Sequence, residues 1–461
     1  MLKLSADRFR LPSLRRNYII PLYWKYINPS KVLSYYQKLQ ELQWNSLEKN
    51  RQIQRKKLYD LLVYSKKNIP YYRQVFKKNN LNFSYESIFE DIKRFPILTK
   101  ETIQNHFDSL YRFWDNSYYR NASGGSTGEP AIIYQDETYF TWANANKRLF
   151  NEWAGRKLGD PMIRIWSSPL DNRRSGYGIK SYLRKKVSGI NILDASRISE
   201  KDMYQFVQKI NRIKPRLILA FVNSIETLAR FIREKELFVY SPPAVMTTAG
   251  VLFPELKTQI EEIFHTRVFN RYGSREVSDM ACSCEKDEGL HLIPALHYIE
   301  IVDDHGQSVK PGTPGNILVT LLTNYTMPLI RYQIGDRGVL SDRMCSCGRG
   351  LPLLKEVNGR INSGIKNKSG EYIEVGFIPL FYYRDNIKQF QVIQESLEKI
   401  NVNLALKDKT KSIVIKKDIM EITAGIKKIM GEGSTININL LDEIKASPSG
   451  KYMYVYSKMQ K

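Results

Sequence analysis

A chain of 461 residues, 42% hydrophobic and 26% charged, has room for two or three domains with cores of their own and needs no disulfide staples. That balance excludes a disordered or low-complexity polypeptide. The 71 Lys and Arg exceed the 47 Asp and Glu by 24, which favours anionic partners: nucleotides, coenzyme A, nucleic acid or an acidic membrane surface.

The excess is concentrated at the start, where residues 1–80 hold 18 Lys and Arg against 4 Asp and Glu. Met1–Arg10 lacks the apolar core and cleavage site of a secretory leader. The longest apolar runs, Tyr18–Trp24 and Leu217–Val222, fall far short of the roughly 20 residues a membrane-crossing helix needs. The expectation is a cytoplasmic protein whose basic, Tyr- and Trp-bearing N-terminus either makes peripheral membrane contact or docks on the protein's own body.

Residues 32–69 contain no Gly or Pro and space their apolar side chains by three and four, which predicts one long helix. Asn68-Ile69-Pro70-Tyr71-Tyr72 ends it. From Phe95-Pro96 to about residue 360, β-branched runs alternate with helical ones. Strands are predicted at Ala131–Tyr134, Met162–Trp166, Leu217–Phe221 and Gly315–Thr320, and helices at Ser199–Ile213, Asn223–Lys235 and Phe253–Phe264. After Gly359-Arg360 come strands at Phe390–Ile393, Ile400–Leu406, Ser412–Lys417 and Thr435–Leu440, with an amphipathic stretch at Asp418–Met430. The predicted fold class is α/β: a large N-terminal region of several subdomains (1–361, with a basic helical segment over about 1–95) and a small, mobile α+β C-terminal domain (362–461).

The sharpest local pattern is Ser123-Gly124-Gly125-Ser126-Thr127-Gly128-Glu129-Pro130, followed at once by the apolar Ala131–Tyr134. Glycines free the backbone to aim its N–H groups at one point and hydroxyls add donors, which is how a loop cradles phosphate oxygens. The Gly-Lys-Ser/Thr ending of a P-loop is missing, and a plain surface turn is the competing reading. Four cysteines fall in two pairs, Cys282-Ser-Cys284 and Cys345-Ser-Cys347. An i, i+2 pair closes a disulfide on itself poorly, whereas four thiolates from two loops suit structural zinc; inert thiols in a reducing cell are the alternative.

The Ser/Gly/Thr loop resembles the phosphate-binding signature of adenylate-forming ligases. Arg271-Tyr272-Gly273-Ser274-Arg275-Glu276 is similar to their Tyr-Gly-x-x-Glu element. Pro328–Asp336 and Gly359-Arg360 resemble the ribose-binding and hinge-adjacent elements, and Pro448-Ser449-Gly450-Lys451 resembles the catalytic-lysine motif. Asn68–Tyr72 and Cys345-Ser346-Cys347-Gly348-Arg349 resemble the phenylacetate–CoA ligase-like branch, and Lys214–Leu217 with Phe221–Ile225 resembles its members in capsule or surface-polysaccharide clusters. The resemblance implies ATP-dependent activation of a small carboxylic acid to an acyl-adenylate with release of pyrophosphate, followed by thioester formation with coenzyme A. Transfer to a carrier-protein thiol or to an amine stays open.

Adenylation joins two anions, so repulsion must be screened and charge on the transferring phosphorus stabilised. By resemblance, Ser123, Gly124, Gly125, Ser126, Thr127 and Gly128 hold phosphates, Tyr272 and Gly273 face adenine, and Asp336 takes the ribose hydroxyls. Arg360 lies near the ribose and phosphates, Glu276 binds magnesium, and Lys451 bridges carboxylate and α-phosphate. Two positions depart from the pattern: Asn362 at the hinge, and Val251 after Gly250, where many relatives have a Gly-Glu pair. The acid pocket is expected from Trp166–Pro169, Phe221–Ser224 and Thr247–Ala249. The rival from another class is a catalytically silent basic binder of nucleic acid or anionic membrane; no helix-turn-helix, zinc-finger or RNA-binding aromatic motif supports a specific nucleic-acid partner.

Overall fold

A computed structural model describes residues 12–22, 25–26, 31–114, 118–122, 131–166, 188–195, 199–360, 365–366, 372–373, 379–382, 384, 386–444 and 454–459. The chain divides into two compact units, Met1–Ile334 with Gly338–Val357, and Gly335–Arg337 with Asn358–Lys461. It is mixed α/β throughout. No helix among the described residues is long and apolar enough to cross a membrane.

In the first unit, β1 (Tyr118–Ala122) and β2 (Ile132–Asp136) form a two-stranded antiparallel ribbon. An eleven-stranded sheet then takes in β3 (Met162–Trp166), β4 (Ile190–Asp194), β5 (Leu217–Phe221), β6 (Ala244–Thr248), β7 (Arg267–Ser274), β8 (Ser278–Ser283), β9 (Leu290–Leu292), β10 (His297–Val302), β11 (Gly315–Leu321), β12 (Tyr332–Leu340) and β13 (Leu353–Arg360). Their order is β10-β11-β12-β13-β9-β8-β7-β6-β5-β3-β4. The β4 end is parallel and wound with helices Glu200–Ile213, Val222–Glu234 and Pro254–Phe264. β6 is buried along its whole length and β5 up to Phe221, as expected where helices cover both faces, so β5 reads as a continuous apolar run and β6 does so over Ala244–Met246. Helix starts follow local chemistry: Ser199 and Asp202 form a capping box, and Pro254 fills the first turn of its helix.

The predicted helix over 32–69 is two helices, Val32–Leu42 and Leu47–Asn68. Ser46 caps the second by accepting from Lys49 N, and buried Asn50 donates to Leu42 O and Gly350 O, so tertiary bonds fix a break that propensity does not signal. At the N-terminus Arg16 pairs with Asp160 at 2.8 Å and donates to Leu158 O, so this part of the basic arm docks on the body of the unit.

His297 opens β10 fully buried, its Nε2 2.8 Å from Val277 O. Burial pushes its pKa down to about 4, with Lys57 adding to the shift and the Val277 bond and Asp279 opposing it. The folded value lies below the unfolded one of about 6.5, so this histidine's contribution is complete above that pH and is lost as pH falls toward the folded pKa. Between pH 7 and pH 5 we expect the wild type to lose about 2 kcal/mol more stability than His297→Leu; urea titrations at the two pH values measure it, and equal losses would refute it.

The second unit, by itself, holds β14 (Ile365–Lys366) paired with β15 (Tyr372–Ile373), and a sheet of β16 (Ile387–Gln394), β17 (Lys399–Leu406), β18 (Thr435–Leu441) and β19 (Val455–Ser457) ordered β18-β17-β16-β19. β17 and β18 are parallel, which demands a crossover. Helix Ser412–Met430 supplies it, burying Ile422, Ile426 and Met430. The strand expected at Ser412–Lys417 is the first turns of that helix. Its β-branched Ile413 and Val414 are exposed and find no sheet edge, so the helical continuation wins over local β preference.

Candidate nucleotide site

β7 is the strand at which the sheet changes character. Its first half, Arg267–Asn270, runs parallel to β6, and its second half, Arg271–Ser274, pairs antiparallel with β8. Ligands of open α/β sheets bind outside the carboxyl ends of the parallel strands, and Tyr272-Gly273 lies at such an end. Phe221 at the end of β5 pairs with Thr248 at the end of β6, and the Trp166 and Phe221 rings lie 4.2 Å apart. The described parts of the expected acid pocket therefore border one edge, next to the Tyr-Gly element.

Gly273 is dictated by the β7–β8 contact. A Cβ there would stand 2.5 Å from Ser278 O and 2.7 Å from Asp279 Cα, closer than atoms pack. Tyr272 is half-buried against the main core, and Glu276 is buried in the turn between β7 and β8.

Ser123–Gly128 lie outside the described residues, but the two strands that carry them do not. Gln135 on β2, fully buried, donates through Nε2 to Arg275 O and Glu276 O, both at 2.9 Å. Asn121 on β1 donates to Arg275 O at 3.0 Å and to Gln135 Oε1 at 3.2 Å. Both stems of the glycine-rich segment are thus tied by side-chain amides to the turn that holds Glu276. A second tie fixes β2 from the other end: Asp136 caps helix Glu137–Trp153 and also accepts from Tyr325 N, while Asn324 Oδ1 accepts from Asp136 N. Sequence reasoning missed Asn121 and Gln135; the available signal was a pair of amide side chains bracketing the loop.

Two further segments singled out by resemblance meet each other. Tyr72 accepts from Ile330 N at 3.2 Å and donates to Pro328 O at 2.9 Å. Next to them Arg331 adopts a left-handed backbone (φ +50°) and is buried, bonding Glu300 at 3.2 Å and the carbonyls of Lys93, Phe95 and Gly306. Arg331 is therefore a strut of the first unit. Asp336 follows Gly335 (φ +86°) in β12, in the short stretch grouped with the second unit, and Arg360 ends β13. Lys451 and Asn362 lie outside the described residues, the former in the segment leading into β19.

The cysteines do not gather as four. Cys282 is buried in the apolar cluster of Trp153, Phe269 and Leu351. Cys284, Cys345 and Cys347 come together with His291, their ligand atoms all within 4.8 Å of one another. His291 replaces Cys282 in the expected set. Nothing in its spacing announces it, because it is brought there by the β8–β9 turn.

Residues 365–458 match the CapK C-terminal domain family. The chain is 22% identical over 414 residues to protein CapK of Staphylococcus aureus, covering 89% of each chain. It is 25% identical over 337 residues to a phenylacetate–coenzyme A ligase of Thermus thermophilus, covering 69% of this chain and 72% of that one. Its fold matches 2-hydroxyisobutyryl-CoA ligase in the postadenylation state with R3-HIB-AMP, with a TM-score of 0.72 at 17% identity over 91% of each chain. In sequence the chain is thus similar to CapK and to the phenylacetate–coenzyme A ligases, in its C-terminal region to the CapK C-terminal domain, and in fold to 2-hydroxyisobutyryl-CoA ligase.

Proposed function

We propose that the protein activates a small carboxylic acid with magnesium ATP and passes the acyl group to coenzyme A. A carboxylate oxygen attacks the α-phosphorus, the bond to the β-phosphate bridging oxygen breaks, and pyrophosphate leaves. The thiol sulfur of coenzyme A then bonds to the acyl carbon, the thiol proton is lost, and AMP departs. The observation that carries the reading is the amide clamp: Asn121 and Gln135 tie the stems of the Ser/Gly/Thr loop to the carbonyls of Arg275 and Glu276. A phosphate-binding loop and a magnesium-binding carboxylate have to act on the same ATP, and this clamp sets their supports together.

In this reading Ser123–Gly128 hold the β- and γ-phosphates, Tyr272 packs on adenine over the close-fitting Gly273, and Asp336 accepts from the ribose hydroxyls. Arg360 adds positive charge near the ribose and phosphates, and Lys451 bridges the two reacting anions. Magnesium on Glu276 would neutralise phosphate charge; a hard carboxylate oxygen suits it. The acid takes the edge formed by Trp166, Phe221 and Thr247–Ala249, and the setting follows the resemblance to surface-polysaccharide relatives.

A panel of carboxylic acids screened by pyrophosphate release, with and without coenzyme A, tests the proposal. Acid-dependent release, with a thioester formed only when coenzyme A is present, is expected. No release with any acid, together with tight, salt-sensitive nucleic-acid binding, would favour the silent basic binder. The clamp has its own test. Gln135→Leu strips the side-chain donor from the buried Glu276 carbonyl, at about 1–3 kcal/mol for a group left unsatisfied, and leaves Arg275 O to Asn121 alone. It should raise KM for ATP and lower pyrophosphate release about tenfold or more, since misplacement near a site is costly. Unchanged kinetics would rule out a positioning role.

A further inference from the structure

We propose that Cys284, His291, Cys345 and Cys347 form a closed three-thiolate, one-imidazole zinc site that staples the turn after β8 to the loop between β12 and β13, and that Cys282 is not a ligand. The site is independent of the nucleotide chemistry and stands or falls separately.

The separations suit tetrahedral zinc. Around zinc with Zn–S bonds of about 2.3 Å and Zn–N of about 2.0 Å, sulfurs lie about 3.8 Å apart and sulfur and nitrogen about 3.5 Å. Cys284 Sγ and Cys345 Sγ are 3.6 Å apart, and Cys347 Sγ is 3.4 Å from His291 Nε2. All four ligand atoms fall within 4.8 Å of one another. The sulfurs are much too far apart for a disulfide bond, which needs about 2.05 Å. Cys284, Cys345 and His291 are buried and Cys347 is partly exposed, so little water competes for the centre.

The surrounding backbone fits a thiolate site as well. Lys286 N, two residues after Cys284, donates to its sulfur at 3.4 Å. In the other loop Gly348 turns with φ +83° just after Cys347, its N–H reaching Cys345 O. The Lys286 amide aimed at sulfur stabilises negative charge there. Three thiolates and a neutral imidazole on a divalent ion leave one net negative charge, and Arg349, two residues after Cys347 in the same loop, carries the opposite sign. Arg349 also pairs with Glu285 at 3.0 Å and donates to Gln43 Oε1, while Glu288 accepts from Ser346 N. The two loops are thus joined around the cluster as well as through it.

Cys282 is chemically able to bind zinc but stands outside. It pairs across the β8–β9 ladder with His291 and packs with Trp153 and Phe269. Four protein ligands leave no open position for water or substrate, which marks a structural rather than a catalytic metal. Thiolate and imidazole donors select zinc over magnesium or calcium.

The test uses the full chain. Elemental analysis of wild type should give about one zinc per chain. Protein stripped by a chelator under reducing conditions should take up cobalt with the absorption of a tetrahedral three-thiolate site. Cys282→Ala should keep the metal and Cys347→Ser should lose it. His291→Ala should bind zinc at least about tenfold more weakly, and His291→Cys should restore binding. Should a variant fail to fold, the wild-type cobalt spectrum still counts its thiolates. The proposal is overturned if reduced wild type takes up neither zinc nor cobalt, if the cobalt spectrum shows four thiolates, or if Cys282→Ala loses the metal as fully as Cys347→Ser.

Discussion

Lys451→Ala is expected to lower acid-dependent pyrophosphate release by about 10²–10³-fold, the usual cost of removing one group aimed at charge that develops in a transition state. The attacking carboxylate and the α-phosphate are both anionic, so their approach is uphill until a cation stands between them. A lysine does this as a compact point charge on a flexible stem. Lys451→Arg replaces that point with a broad planar fork and should recover only part of the activity. Supplying a preformed acyl-adenylate bypasses the step at which the two anions meet, so thioester formation from it should be spared in Lys451→Ala. Equal loss in both half-reactions, or none in either, would contradict the bridging role. Thermal unfolding measured on the same variant separates a loss of chemistry from a loss of fold.

Arg331→Leu is expected to have the largest effect on stability, about 3–5 kcal/mol, the usual cost of breaking a buried ion pair by removing one partner. Its guanidinium bonds Glu300 and three backbone carbonyls, and both charged side chains are 3% exposed. Burial pushes the Glu300 carboxyl pKa up and Arg331 pulls it back. Without the arginine, Glu300 must either stay charged in a poor solvent or bind a proton. The double change Arg331→Leu with Glu300→Leu should cost less than the single one, since no charge is then stranded. Urea midpoints of the wild type and these two variants decide it; a single-variant loss below about 1 kcal/mol would show that the pair is not a strut.

Much of the element pattern was legible from local chemistry. The strand Leu217–Phe221 and the helix that follows it were readable because this part of the parallel sheet is buried, leaving an uninterrupted apolar run, and Met162–Trp166 was readable from its apolar Met162, Ile163, Ile165 and Trp166. The same local reading failed at Gln43–Ser46 and at Ser412–Lys417. In the first case Asn50 reaches Gly350, three hundred residues away; in the second, the parallel β17–β18 pair requires a crossover helix whatever the β-branched residues prefer. Long-range bonds and topology outweigh propensities worth a few tenths of a kcal/mol per residue.

By itself, the sequence determined the types of chemistry: a glycine-and-hydroxyl loop, a Tyr-Gly element with a carboxylate after it, a lysine near the end, and thiols in pairs. Those follow from which residues are present and what stands next to them. Only the tertiary structure decided who meets whom. Gln135 and Asn121 bind the Arg275–Glu276 turn, Tyr72 binds Pro328 and Ile330, and His291 takes the place among the thiols that Cys282 vacates for the apolar core. Contacts between residues far apart in the chain depend on strand order and register, and a register shift of one residue reverses which side chains face a site. That information is held by the packing of the whole sheet and by no local stretch of the chain.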